Sequence, residues 1–280
     1  MERPAIAGRL DEIADAYSRP PEMIYWEGEK MGFLSVSNED GIATVTISRG
    51  KVNALNEPLV EEMDKCFADM EADPAVNGVI LKGTGSFFSF GFDVPEFLSY
   101  SKDEFIRFLT KFSALCSRIY LFPKPVVAAL NGHTVAGGCL LALTCDYRIM
   151  VKGKAKTGLN EITFGAPMFT NGVEMLRSLV GSRNAERILL LGSLYAAEEA
   201  QFLGLIDEAV DESDLEERAR KVAFDYSQKD SAPFRVVKRL IRKPVADKMA
   251  QGGELSIREF VDIWYSEKTW RKLQEIKIRA

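Results

Sequence analysis

Between Glu57 and Ala72 the apolar residues Leu59, Met63, Cys66 and Met70 recur at helical spacing, which predicts an amphipathic helix with one buried stripe. Upstream, FLSVSNEDGIATVTIS (33–48) has β-rich runs on either side of Asp40-Gly41, the pattern of two short strands joined by a turn. Downstream, VNGVILKG (76–83) is an apolar run ending in glycine, as expected of a strand buried on both faces. The unit then repeats: a helix around 102–121, a strand PVVAAL (125–130), a helix opening at Gly137 and a strand YRIMV (147–151). Strand and helix alternate, so the predicted class is α/β.

From about Thr170 the pattern becomes helical. GVEMLRSLVG, NAERILLLG and AAEEAQFLG each end at a glycine suited to a helix C-cap, and LIDEAV (205–210) reads as one last short strand. Beyond Asp211 the chain is helical and charged. Its apolar stripes (Leu240, Ile241, Leu255, Ile257, Phe260, Trp264, Trp270, Leu273) must pack on something, either this chain or a neighbouring subunit. At the other end Ile6, Leu10, Ile13 and Tyr17 predict an amphipathic leader helix. Three segments follow: an N-terminal extension over 1–32, a core over 33–210 and a helical region over 211–280.

Composition narrows the possible functions. With 280 residues the chain can bury a sizeable core, and 46% apolar with 28% charged residues is ordinary for a soluble globular protein. The net charge of −5 argues against nucleic acid as a partner. No apolar run approaches the roughly 18 residues a membrane span needs, and the acidic N-terminus lacks the apolar region of a secretory signal. Cys66, Cys116, Cys139 and Cys145 show no CxxC pairing and read as buried thiols in a reducing, cytoplasmic setting. His133 is the only histidine; a packing role is favoured over a catalytic one, and no metal-ligand spacing surrounds it.

Two stretches carry candidate chemistry. In SFFSFGFDVPEF (86–97), Gly91 permits a tight turn and Asp93 with Glu96 forms a D-x-x-E capping box, so both acids read as caps. In NGHTVAGGCLLALTCDYRI (131–149), Gly137 and Gly138 open an apolar helix whose free N–H groups can hold negative charge on an oxygen. Glu161 follows in KTGLNE, a carboxylate able to move a proton if it faces that helix start.

Together with KVNALN (51–56), the segments FSFGFD (88–93), NGHTVAGGC (131–139) and CDYRI (145–149) resemble, in order and spacing, the crotonase (enoyl-CoA hydratase/isomerase) superfamily over roughly residues 38–210. The resemblance implies a ββα spiral core with a helical C-terminal region that packs at the contacts of a homotrimer or hexamer. It implies an acyl-CoA thioester as substrate, with coenzyme A part of that substrate and no separate cofactor. Carried over by position, the backbone N–H groups of Phe92 and Gly137 form an oxyanion hole for the thioester oxygen. CoA is held by the turn Val52, Ala54 and Leu55, and the substrate by Ser89, Phe90, Gly91, Asp93, Gly138 and Leu140.

Hydratases of this family carry a glutamate in a GGCEL-like stretch; here Leu140 takes that place, and the second family glutamate matches Glu161. One base beside an oxyanion hole suits the transfer of a proton from C2 to C4 of a 3-enoyl thioester. The AGGCLLALTCDYRI and GLNE stretches look especially like delta-3,delta-2-enoyl-CoA isomerases. Apolar neighbours of Glu161 (Ile162, Phe164, Ala166, Met168, Phe169) are expected to raise its pKa and exclude water. Asn160 either fixes an acyl oxygen or shapes the turn. Bulky Phe90 and Phe92 point to a short or cyclic acyl group. The alternatives are a hydratase, hydrolase or decarboxylase acting on a specialised acyl-CoA, and a non-catalytic acyl-CoA-binding protein.

Overall fold

The computed structural model describes residues 29–276, so the expected leader helix at 5–18 lies outside the described residues. A seven-stranded sheet runs in the order β1 (Glu29–Met31), β2 (Leu34–Glu39), β3 (Ile42–Ile47), β4 (Gly78–Gly83), β6 (Val126–Leu130), β8 (Tyr147–Val151) and β10 (Glu208–Val210). The first three strands are antiparallel, and from β3 onward every neighbour is parallel. Side chains of β4, β6 and β8 are buried on both faces almost throughout, which accounts for their unbroken apolar runs.

A second, small parallel sheet contains β5 (Phe87–Ser89), β7 (His133–Val135) and β9 (Thr157–Gly158) in that order. Each large-sheet strand β4, β6 and β8 is followed by one of these, then by a helix. The repeat is therefore strand, strand, helix, wound as the expected ββα spiral. The small strands are two or three residues long and carry no period that a sequence pattern can register.

The first helices are α1 (Glu57–Ala72), α2 (Val94–Phe97), α3 (Lys102–Tyr120), α4 (Gly137–Leu143) and α5 (Glu161–Phe164). In α1 the predicted stripe Leu59, Met63, Cys66 and Met70 is fully buried. Then come α6 (Thr170–Leu191), broken at Gly181 with φ 75°, and α7 (Ala197–Leu203). Gly192 and Gly204 end these helices in the left-handed conformation expected of glycine C-caps.

After a 3-10 turn come α8 (Leu215–Ser227), α9 (Ser231–Trp264) and α10 (Glu267–Leu273). The long α9 packs on α3 and α6. Its N-terminal half is pinned by Asp146, which takes Lys238 Nζ at 2.6 Å and Arg242 at 3.1 Å. The apolar stripe read beyond Asp211 thereby divides. Ile257, Phe260, Trp264 and Leu273 are buried inside this chain, whereas Leu240, Ile241 and Leu255 stay about two-thirds exposed. All four cysteines are free and buried. Among the described residues no helix is long and apolar enough to cross a membrane.

Candidate active site

The three strands of the small sheet lie side by side and parallel, and each ends in one piece of the candidate site. The turn Phe90–Asp93 follows β5, Ala136-Gly137-Gly138 follows β7, and Asn160-Glu161 follows β9. Neighbouring strands stand about 4.8 Å apart, so three segments separated by some 70 residues of sequence meet at one edge.

Backbone pairing fixes the first segment. Phe90 N–H donates to Val52 O (3.0 Å), Leu55 N–H to Gly91 O (2.7 Å), and Asp93 N–H to Leu55 O (2.9 Å). These bonds make an isolated parallel bridge between Leu55 and Phe92, which turns the N–H of Phe92 itself away from residue 55. It has no acceptor among the described residues, and neither has the N–H of Gly137 at the start of α4. The two turns abut: a Cβ on Gly91, whose φ is +99°, would stand 3.0 Å from Gly137 N. Ala136, which precedes the helix, holds φ 51° and ψ −123°, a conformation that costs an alanine about 1–3 kcal/mol. Strain of this kind is stored where the surroundings over-determine the backbone.

Glu161 is the first residue of α5. Its side chain is 7% exposed, and Oε2 has no hydrogen-bond partner among the described residues. Burial pushes its pKa from 4.5 up to about 8, opposed only by a hydrogen bond from its own backbone N–H. Asn160 caps nothing with its side chain, and Oδ1 is likewise without a partner, so the turn-shaping role read for it has no side-chain bond behind it.

Both residues line a cavity of about 240 Å³, where Glu161 is the single carboxylate among the described residues. Rings of Phe90, Phe92, Phe164, Phe260 and Trp264 form much of the wall. The last two come from α9 of the same chain and are held by ring contacts, with Trp264 tilted against Phe105 at 4.8 Å and stacked on Phe260 at 5.7 Å. Sequence patterning identified both as apolar stripe positions and could not say that they close the site.

The other predicted residues sit around this centre. Gly138 faces Ser89 so closely that a Cβ would run into the Ser89 carbonyl oxygen. Ser89 Oγ donates to Asn53 O (2.8 Å) and accepts from Gly91 N–H, buckling the two turns together. Leu140, 1% exposed, lies against Gly172, where a Cβ would come within 2.7 Å of its methyl, and it is not part of the cavity wall.

Asp93 caps α2 through the N–H of Glu96, but only half of the expected capping box forms. The N–H of Asp93 is taken by Leu55, and the Glu96 carboxylate is drawn instead to Arg49 at 2.9 Å. Arg49 also donates to Ala54 O, and its place here had no signal in the sequence beyond being a lone cation before KVNALN. Val52 contributes its carbonyl to the same strap. His133 packs on Phe87 and accepts the Lys156 N–H at Nδ1 (3.2 Å), away from the cavity, in the packing role expected.

With this geometry in hand, comparison with known proteins is specific. The family described as "Enoyl-CoA hydratase/isomerase" matches residues 37–275. Enoyl-CoA delta isomerase 1, mitochondrial, of Rattus norvegicus is 34% identical over 235 residues, 82% of this chain and 81% of the relative. A probable enoyl-CoA hydratase of Bacillus subtilis is also 34% identical, over 71% of this chain and 78% of its own length. Among solved structures, human mitochondrial delta3-delta2-enoyl-CoA isomerase superposes with a TM-score of 0.81 at 28% identity, covering 86% of this chain and 95% of that one.

Proposed function

Because the chain belongs to the enoyl-CoA hydratase/isomerase family, we propose that it moves the double bond of a 3-enoyl-CoA thioester into conjugation, with Glu161 as its single acid/base. The observation that carries this reading is a buried carboxylate, the single one on the cavity wall among the described residues, with Oε2 unpartnered and two N–H groups without an acceptor on the neighbouring turns. Glu161 takes a proton from C2. Charge moves onto the thioester oxygen, where the N–H groups of Phe92 and Gly137 receive it, and the protonated Glu161 returns the proton at C4. Each such donor is worth roughly 10² to 10³ in rate in a site closed to water.

Hydration asks for more than this. A water must be held and deprotonated, usually by two carboxylates, and the position of the second is taken here by a leucine packed against α6. The aromatic wall supports the same choice, since it disfavours a bound water. At about 240 Å³ the cavity is smaller than the roughly 300–1,000 Å³ of common ligand pockets, in keeping with a short or cyclic acyl group and a CoA moiety held outside along the 52–55 turn.

Offering the protein 3-enoyl-CoA and 2-enoyl-CoA of increasing chain length tests the reading. Conjugated-thioester absorbance should rise with the first substrate, fastest for short chains, and 3-hydroxyacyl product should be negligible with the second. Rapid hydration of the 2-enoyl substrate overturns the isomerase assignment, and binding without turnover of either favours a non-catalytic acyl-CoA carrier.

We also propose a homotrimer or hexamer. Leu240 and Ile241 on α9 are each 66% exposed, which is costly for leucine-sized side chains in a monomer. Changing both to Asp should reduce the solution mass to that of one chain, as measured by light scattering, whereas an unchanged mass places the contact elsewhere.

A further inference from the structure

Immediately behind the Phe92 turn the chain half-buries an imbalance of charge. Asp93, the next residue, and Glu96, three further on, share one guanidinium: Arg49 Nη1 lies 2.7 Å from Asp93 Oδ2, and Nη2 lies 2.9 Å from Glu96 Oε2. The same Nη1 donates to Ala54 O at 2.9 Å, so Arg49 spans both turns of the site. Its cation lies over the Phe33 ring, 5.6 Å from the centroid. Glu96 takes further donors from Asn56 Nδ2 (3.0 Å) and Tyr100 Oη (3.3 Å). Burial and the neighbouring Glu96 raise the Tyr100 pKa, so its phenol stays protonated and remains a donor.

Three backbone bonds already hold the Phe92 turn on residues 52–55, and none of them needs Arg49. What the guanidinium adds is charge. Two carboxylates beside a peptide N–H meant to receive an oxyanion oppose negative charge at that point, and in a partly buried setting the opposition is weakly screened. One guanidinium forked across both leaves the cluster at a net charge of minus one rather than minus two.

We propose that Arg49 is a positioning residue of the oxyanion site, acting through Asp93 and Glu96 to keep their charge off the developing enolate. This rests on the reading of Phe92 and Gly137 as the donors, and the experiment separates the two. Arg49→Met keeps the backbone bonds and uncovers both acids; kcat should fall about ten- to a hundredfold while KM changes little. Arg49→Met combined with Glu96→Gln restores the net charge of the cluster, and Gln can still bond Asn56 and Tyr100, so most of the lost kcat should return. Arg49→Lys keeps the charge and should stay within a few-fold of the parent, which provides a second measure should the methionine variant fold poorly.

Acetoacetyl-CoA, a 3-ketoacyl thioester whose acidic C2 proton can leave to solvent to give an enolate with its own ultraviolet band, reports on the site without turnover. The parent protein should bind it as the enolate, Arg49→Met should lose the band, and the double variant should regain it. A band and kcat retained in Arg49→Met, a double variant no better than Arg49→Met, or a lysine variant as poor as the methionine one overturns the proposal alone. A parent protein that forms no band overturns the donor assignment and the proposal with it.

Discussion

Glu161→Gln is expected to lower turnover of a 3-enoyl-CoA by roughly 10² to 10⁴ while making the protein more stable at pH 7. Loss of activity follows because no other carboxylate among the described residues lines the cavity to take over the proton. The gain in stability follows from the pKa, raised by burial from 4.5 to about 8. Between those values the folded protein holds a proton that the unfolded chain releases. The contribution of this carboxyl is therefore fully present below pH 4.5 and is lost as pH rises toward 8. At pH 7 the loss amounts to about 3 kcal/mol, which glutamine avoids. Thermal melting should show the variant several degrees above the parent at pH 7 and level with it at pH 4. An equal melting temperature at both pH values contradicts the assignment of a buried, proton-bearing Glu161. In the parent, kcat/KM should rise about tenfold per pH unit below 8, since only the ionised carboxylate accepts a proton, and should level above it.

Gly137→Ala is expected to lower kcat by about 10² to 10³ with a folded protein and a nearly unchanged KM. A Cβ at this position would stand 2.8 Å from Cε1 and 2.9 Å from Cδ1 of the Phe92 ring. That ring cannot swing away, because it is packed edge-on against Phe108 and Phe112 at 5.1 Å each. The strain must move the backbone of one turn or the other, and with it the N–H groups proposed to receive the thioester oxygen. Overpacking of this kind costs about 1–3 kcal/mol, which leaves the fold in place. Steady-state kinetics alongside a thermal melt checks the prediction: an alanine variant with parental kcat means that the two N–H groups do not act as a pair.

Much of this molecule is legible in its sequence. The stripe in α1, the double-sided burial of β4, β6 and β8, and the glycine caps of α6 and α7 all follow from local periodicity and turn chemistry. The turns that carry Phe92, Gly137 and Glu161 were likewise reachable as candidates, because their motifs stand in a recognisable order, and each follows a strand of the small sheet. Arg49 was not, since a single cation announces nothing until the two acids it serves are folded against it. Leu140 shows the opposite limit: the sequence reading that no carboxylate occupies its place stands, but the side chain faces Gly172 rather than the cavity.

The stripe of α9 marks the boundary most clearly. Period 3.6 identifies Leu240, Ile241, Phe260 and Trp264 as apolar without distinction, because amphipathicity is a property of one helix. Asp146, more than 90 residues earlier, pins the N-terminal half of that helix by holding Lys238 and Arg242. Phe260 and Trp264 then close the cavity and Leu240 and Ile241 face outward. By itself the sequence determined the longer elements, the class of fold and the placing of one carboxylate a short strand after a glycine-opened helix. Only the tertiary structure decided that this carboxylate is buried with Oε2 unpartnered, and that the N–H groups of Phe92 and Gly137 find no acceptor among the described residues, because burial and pairing depend on contacts between segments that no local pattern records.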